Sequence, residues 1–292
     1  MPVMRHQHHI RGASIAVPDK GNNMKIQTLF RPLPTVIMAF ACLALALPAS
    51  AAESRYPKIK EKGVLEVGWG VFPPYEYKDV TSGELKGILI RLAEEIAGRM
   101  GVKANFTQDT WPTMPAGIAA GKFDVALMGF SDGRAKTVDY SKPLYVSDFT
   151  AVVMNTSPIK SWDELNKPGN VVATTTGSST DEVLTRLEKE GKLKLEVRRI
   201  KDVGSGVLAV TSGNVTAYAN QRDALSLMVA SQPQLAILNG AFDQAWFGVV
   251  VPKGDKELLE QVDKALASMH AENVIASMIK EYKIIGAEVP AK

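Results

Sequence analysis

Chemistry at a protein site needs a nucleophile, a metal-ligand set, a titratable group or a fixed charge, and this chain is poor in the first two. Among its 292 residues there is a single cysteine, Cys42, and of four histidines three (His6, His8, His9) crowd the amino terminus. Beyond residue 51 only His270 remains, so a His/Cys metal site and a thiol nucleophile are excluded there. Glu76 is the one candidate for general acid or base work. What is left is fixed charge and hydrogen bonding. Arg134 sits in Gly129-Phe-Ser-Asp-Gly-Arg-Ala-Lys-Thr-Val-Asp-Tyr-Ser141. A guanidinium is a planar fork that grips a carboxylate through two parallel charge-assisted hydrogen bonds; taken alone, Arg134 reads first as a solvated charge at a helix start. Gly177-Ser178-Ser179 precedes a helical pattern and offers hydroxyls together with the free N–H groups of a helix start. That set suits an anion and also suits a plain N-cap.

The composition is that of an ordinary globular chain, 46% hydrophobic and 22% charged. Its first fifty residues stand apart. Lys25 and Arg31 precede an apolar run over 35–47 that is too short to span a bilayer, and Ala49-Ser-Ala51 follows as a small-x-small cleavage site. That order is expected of a secretory signal peptide, with residues 1–51 as leader and Met1 or Met24 as the start. The leader holds five of the 34 basic and one of the 31 acidic residues, so 29 basic and 30 acidic residues remain and the formal charge falls from +3 to −1. The basic balance therefore belongs to the leader, and no nucleic-acid partner is expected.

The elements that must position these residues alternate. Gly63–Gly68 reads as a strand that stops at Phe72-Pro73-Pro74-Tyr75. Leu89–Met100 has helical spacing with Gly101 as its stop. A strand over 102–106, a helix over 113–120 and a buried strand over 123–128 follow, a βα rhythm that implies α/β with a largely parallel sheet. Residues 143–156 break the rhythm as one long strand. Ser161 begins a short helix, and the rhythm restarts over 171–230. A second apolar crossing, from 235–238 on to 247–251, leads into a helix over 256–270. One α/β unit is thus inserted into another through two extended crossings, which implies two lobes, a cleft between them and hinge closure around a ligand.

From about Gly63 to Tyr282 the chain resembles the periplasmic family 3 solute-binding proteins, the amino-acid-type receptors of ABC importers. The marks are Gly63-Val-Leu-Glu-Val-Gly68, Pro73-Pro74-Tyr75-Glu-Tyr77, Gly87, Gly121-Lys-Phe-Asp124, Arg134 to Tyr145, Gly177-Ser-Ser and Phe247 to Gly254. The resemblance implies a type II periplasmic binding protein, each lobe a mixed sheet flanked by helices. Lobe one would hold 56–149 with 244–292, and lobe two would hold 150–243. It implies that Arg134 grips a ligand carboxylate, with Gly129, Phe130 and Ser131 on the same loop and Ser178 and Ser179 as donors from the second lobe. Phe72 and Trp111 become apolar walls, Asn220 and Gln221 the opposite polar end, and Tyr75 packing behind the loop.

The chain departs from that family where an acid usually holds the ligand's ammonium: Gln221 stands there, the first loop lacks its acid, and Gly129 replaces a hydroxyl. Glu76 or Asp223 remains as a substitute acid. The expected function is an extracytoplasmic receptor, monomeric and without cofactor or metal. It would deliver an amino acid or related carboxylate to the membrane subunits of an importer. The alternatives are a periplasmic enzyme on the same fold, like a cyclohexadienyl dehydratase, and a ligand sensor.

Overall fold

Two ten-residue strands organise the molecule, and everything else is arranged on either side of them. The computed structural model describes residues 53–290; the expected signal peptide, Cys42 and the three amino-terminal histidines lie outside the described residues. The first stretch runs α1 (Tyr56–Lys62), β1 (Val64–Trp69), β2 (Tyr77–Lys78), β3 (Leu85–Lys86), α2 (Ile88–Arg99), β4 (Lys103–Gln108), α3 (Met114–Ala119) and β5 (Val125–Gly129). A 3-10 turn over Arg134–Lys136 and β6 (Val138–Tyr140) lead into the first long strand, β7 (Tyr145–Met154). The inserted part holds α4 (Trp162–Leu165), β8 (Val171–Thr175), α5 (Ser179–Lys189), β9 (Glu196–Ile200), α6 (Val203–Thr211), β10 (Ala217–Gln221), α7 (Arg222–Ser231) and β11 (Leu235–Ile237). The second long strand, β12 (Asp243–Pro252), returns, and α8 (Lys256–Ala271) and α9 (Val274–Glu281) close the chain.

The main sheet runs β4-β1-β5-β12-β7-β10-β8-β9. Its two wings are parallel, β4, β1 and β5 on one side and β10, β8 and β9 on the other. The long strands are antiparallel to their wings and to each other. β12 pairs with β7 through Asp243–Phe247, then with β5 through Phe247–Val250. β7 in turn pairs with β10 through Phe149–Val152. β12 thus joins the first wing and β7 the second, and their mutual pairing carries the sheet across the two crossings between the wings. The two-lobed α/β architecture read from the sequence is the one observed.

Packing divides in the same way. In the first wing one face buries Leu65, Val67, Leu92, Ile96, Leu266 and Ile275 beneath α2, α8 and α9. The opposite face buries Met114, Ile118, Phe123 and Val138 beneath α3. The second wing also has two apolar layers, one around Trp162, Leu184 and Leu195 and one around Val210, Tyr218 and Leu225. A parallel strand has to be covered on both faces, and near-continuous apolar runs such as Val125-Ala-Leu-Met128 are its signature. Among the described residues no helix is long and apolar enough to cross a membrane.

The chain differs from the reading of the sequence in detail. Leu235–Ile237 form a separate strand, β11, which pairs with β7, and the crossing itself begins at Asp243. Helices α1 and α9 flank the expected elements; α1 is marked by a proline in its first turn and by Gly63 in the left-handed conformation at its end.

Candidate functional site

Parallel strands deliver their carboxyl ends to one edge of a sheet, and in open α/β folds that edge is where ligands lodge. Here two such edges face each other. Trp69 ends β1 and leads to the Phe72 loop, and Gly129 ends β5; from the other wing, Thr175 ends β8 and Asn220-Gln221 ends β10. Between them lies a small cavity. Of the residues singled out in the sequence, Phe72, Trp111, Gly129, Arg134, Ser178, Ser179, Asn220 and Gln221 line it. Thr175, Val203 and Phe247 line it as well. None of these three was expected: they are a strand end, a helix start and a point on a crossing, and only the facing of the two wings brings them together.

Phe130 and Ser131 lie elsewhere, on a wider outer groove with Glu182 and Trp246. Successive residues of an extended segment point to opposite sides, so with Gly129 at the cavity Phe130 turns away. It stacks on Trp246 with ring centroids 4.5 Å apart. Ser131 braces the turn: its Oγ accepts the Arg134 backbone N–H at 3.2 Å.

Arg134 is 5% exposed and spans the two lobes. Its Nη1 donates to the Gly129 carbonyl at 2.9 Å and its Nη2 to the Gly177 carbonyl at 2.5 Å. Nε lies 3.5 Å from Glu182 Oε1, a carboxylate that faces the outer groove. A guanidinium has five N–H groups, and these three contacts leave one on each terminal nitrogen. Across the cavity α5 begins. Ser178 is its N-cap, with Oγ accepting the Asp181 N–H at 3.1 Å. Ser178 Oγ is therefore occupied as a cap, while the first N–H groups of the helix have no partner within it. The lobes are in contact here: a Cβ placed on Gly129 would lie 2.5 Å from Ser179 Oγ and 3.0 Å from Gln221 Nε2. The small residue is what admits both side chains.

Phe72, Trp111 and Phe247 form the apolar wall. Phe72 meets Trp111 edge to face at 6.1 Å and stacks on Tyr75 at 5.0 Å. A Cβ on Gly70 would lie 2.9 Å from the Trp111 ring, so the glycine lets the indole close over the Phe72 loop. At the other end Asn220 is engaged on both sides of its amide. Its Oδ1 accepts Thr180 Oγ1–H and the Gln221 N–H, and its Nδ2 donates to Tyr218 OH. Gln221 is 2% exposed, and its Nε2 has no partner.

Neither substitute acid reaches the cavity lining. Glu76 is buried, its Oε1 accepting the Gly70 N–H at 3.1 Å, and burial pushes its carboxyl up to about 8. Asp223, fully buried at the start of α7, accepts the Tyr75 hydroxyl at 2.7 Å, and burial raises its pKa too. Tyr75 is therefore more than packing behind the loop, because it joins the first wing to the second. Among the described residues no group of three or more His, Cys, Asp or Glu is placed to hold a metal ion.

Two facing wings, two crossings and a polar and aromatic cavity between them define a two-lobed solute-binding protein. The chain belongs to the bacterial extracellular solute-binding proteins, family 3, whose model it matches over residues 65–284. It is 30% identical over 273 residues to the L-cystine-binding protein TcyJ of Escherichia coli, a match covering 91% of this chain and 99% of the relative. The amino acid ABC transporter substrate-binding protein AbpA of Streptococcus pneumoniae, solved bound to L-arginine, superposes with a TM-score of 0.69 at 26% identity, covering 77% of this chain and 97% of AbpA. The cyclohexadienyl dehydratase of Pseudomonas aeruginosa is 29% identical over 158 residues, 52% of this chain and 58% of the enzyme.

Proposed function

We propose that this protein is the solute receptor of an ABC importer and takes an amino acid or a related small carboxylate between its lobes. The observation that carries this reading is the buried Arg134 guanidinium, which lines the cavity with an N–H to spare on each terminal nitrogen. A carboxylate of the solute uses that fork, the first turn of α5 adds donors from the other lobe, and Phe72, Trp111 and Phe247 shelter the carbon skeleton. The binding relatives TcyJ and AbpA support the assignment. Export with loss of residues 1–51, a periplasmic location and a monomer that docks on the importer's membrane subunits complete the proposal. The lobes are 56–149 with 244–292, and 150–243.

The test is calorimetric titration of the protein with amino acids and small carboxylates, in the wild type and in Arg134→Ala. Loss of at least 100-fold in affinity with an unchanged circular dichroism spectrum is the expected result. Unchanged affinity would reject the assignment.

The partial match to a dehydratase keeps a second reading open to trial. A dehydratase needs a positioned general acid or base. The cavity lining holds no carboxylate, histidine or thiol, and Glu76, although it stays protonated to about pH 8, is walled off behind the Phe72 loop. The protein is accordingly expected to leave prephenate and arogenate unchanged, and turnover of either overturns the receptor reading.

A further inference from the structure

The charge inventory of the cavity is one-sided. Arg134 is the single charged side chain that lines it. The carboxylates nearby are each tied elsewhere. Glu182 pairs with Arg134 Nε at 3.5 Å from the side of the outer groove. Asp181 accepts the Gly177 N–H at 2.9 Å and pairs with Arg199 at 2.9 Å. Asp223 accepts Tyr75 OH, and Glu76 accepts the Gly70 N–H. The charge that lines the cavity is the guanidinium's; the first turn of α5 adds N–H donors, and Gln221 adds a neutral carboxamide whose Nε2 is buried without a partner. The acceptor of Asn220 is already taken by Thr180 and by the Gln221 backbone.

An ammonium brought into this space would lose its hydration and meet no opposite charge, which is strongly unfavourable. Gln221 is the residue that decides this. It is almost wholly buried and packed against Gly129 and Ser179 of the joined lobes, and a carboxamide supplies no charge whichever end it presents. A hydroxyl, keto or amide group, by contrast, brings no charge that would be left unpaired.

We propose that Gln221 sets the specificity of the cavity for a carboxylate that bears no ammonium on the neighbouring carbon, that is, a hydroxy, oxo or N-acyl acid with a small apolar body. The inference rests on the cavity being the solute site and narrows what that site takes. The carboxylate of the solute then meets the terminal nitrogens of Arg134, its uncharged neighbouring group meets the Gln221 carboxamide, and its body lies against Phe72, Trp111 and Phe247. It sets this chain apart from relatives whose ligand is a free amino acid.

The test is calorimetric titration with matched sets that share a side chain. One set is L-leucine, 2-hydroxy-4-methylpentanoate, 4-methyl-2-oxopentanoate and N-acetyl-L-leucine; the other is its phenylalanine counterpart. Each is run against the wild type, Gln221→Glu and Arg134→Ala. The wild type is expected to bind a member without ammonium at least ten-fold more tightly than the amino acid. In Gln221→Glu the preference should shift toward the amino acid by ten-fold or more. Amino acids that bind the wild type as tightly as their partners, with binding lost in Arg134→Ala, overturn this inference and leave the receptor reading standing. Failure of every member to bind, or binding that survives Arg134→Ala, overturns both. The wild-type comparison needs no variant, so a poorly folding Gln221→Glu does not protect the proposal.

Discussion

At the scale of the residue, Glu76 and Gln221 carry opposite lessons about burial. Glu76 is 3% exposed, and its carboxyl is pushed up to about 8 by loss of hydration, with the Gly70 N–H offsetting part of the shift. The folded protein therefore holds a proton that the unfolded chain releases above about pH 4.5. Stability conferred at this position is greatest at and below that value. It falls by roughly 1.4 kcal/mol per unit as pH rises towards 8, and is level beyond. Glu76→Gln removes the titration and keeps an acceptor for Gly70. The difference in unfolding free energy between variant and wild type, measured by urea titration from pH 5 to 9, should rise with pH in the variant's favour. A flat difference would show that the carboxyl is not buried as described. Gln221 is hidden as deeply but cannot titrate, so its influence falls on the solute rather than on stability. Both positions could be picked out in the sequence by type, yet neither declared its burial there. Glu76 stands in a loop whose composition fits solvent as well as core, and only the packing of the Phe72 turn onto the first wing hides it.

Among the elements, α5 bears most directly on the site. Its start was legible: Ser178 is a strong N-cap type, glycine precedes it, and the structure has Ser178 Oγ on the Asp181 N–H. What local pattern could not contain is the neighbour across the cleft. Gly177 has φ of +69° and its carbonyl accepts from Arg134, while a Cβ there would lie 2.6 Å from Pro112 Cγ. Gly177→Ala therefore meets two penalties, a left-handed backbone costing about 1 kcal/mol for a residue with a side chain and a clash that keeps the lobes apart. Its expected phenotype is a modest drop in melting temperature with solute affinity lowered at least ten-fold. Affinity equal to wild type would mean that the contact between Gly177 and Pro112 does not govern closure. The 3-10 turn that carries Arg134 follows the same logic. Ser131 fixes its backbone, but the direction of the side chain is decided by the Gly129 and Gly177 carbonyls, 43 residues of chain separating Arg134 from the second of them.

For the whole molecule the question is how two packed wings move as a unit. β7 and β12 join them by pairing with each other, and Tyr75 to Asp223 adds a polar link, the Tyr75 ring set between the aromatic faces of Phe72 and Phe247. A solute held by Arg134 from one side and by α5 from the other stabilises the joined form. At a hundred times its dissociation constant it should add about 2.7 kcal/mol to the unfolding free energy. Scanning calorimetry should accordingly register a rise in melting temperature, and small-angle scattering a decrease in radius of gyration. A bound solute that leaves both unchanged would count against hinge closure. The amino-acid sequence by itself determined the alternation of strands and helices, the insertion through two long crossings and the residue types available for recognition. These follow from local periodicity, from capping and from which side chains are present at all. Only the tertiary structure decided that Gly129 faces the cavity while Phe130 turns from it, that Thr175, Val203 and Phe247 join the lining, and that no carboxylate does. Those outcomes depend on how two sheet edges meet, and contacts between residues a hundred positions apart leave no periodic trace along the chain.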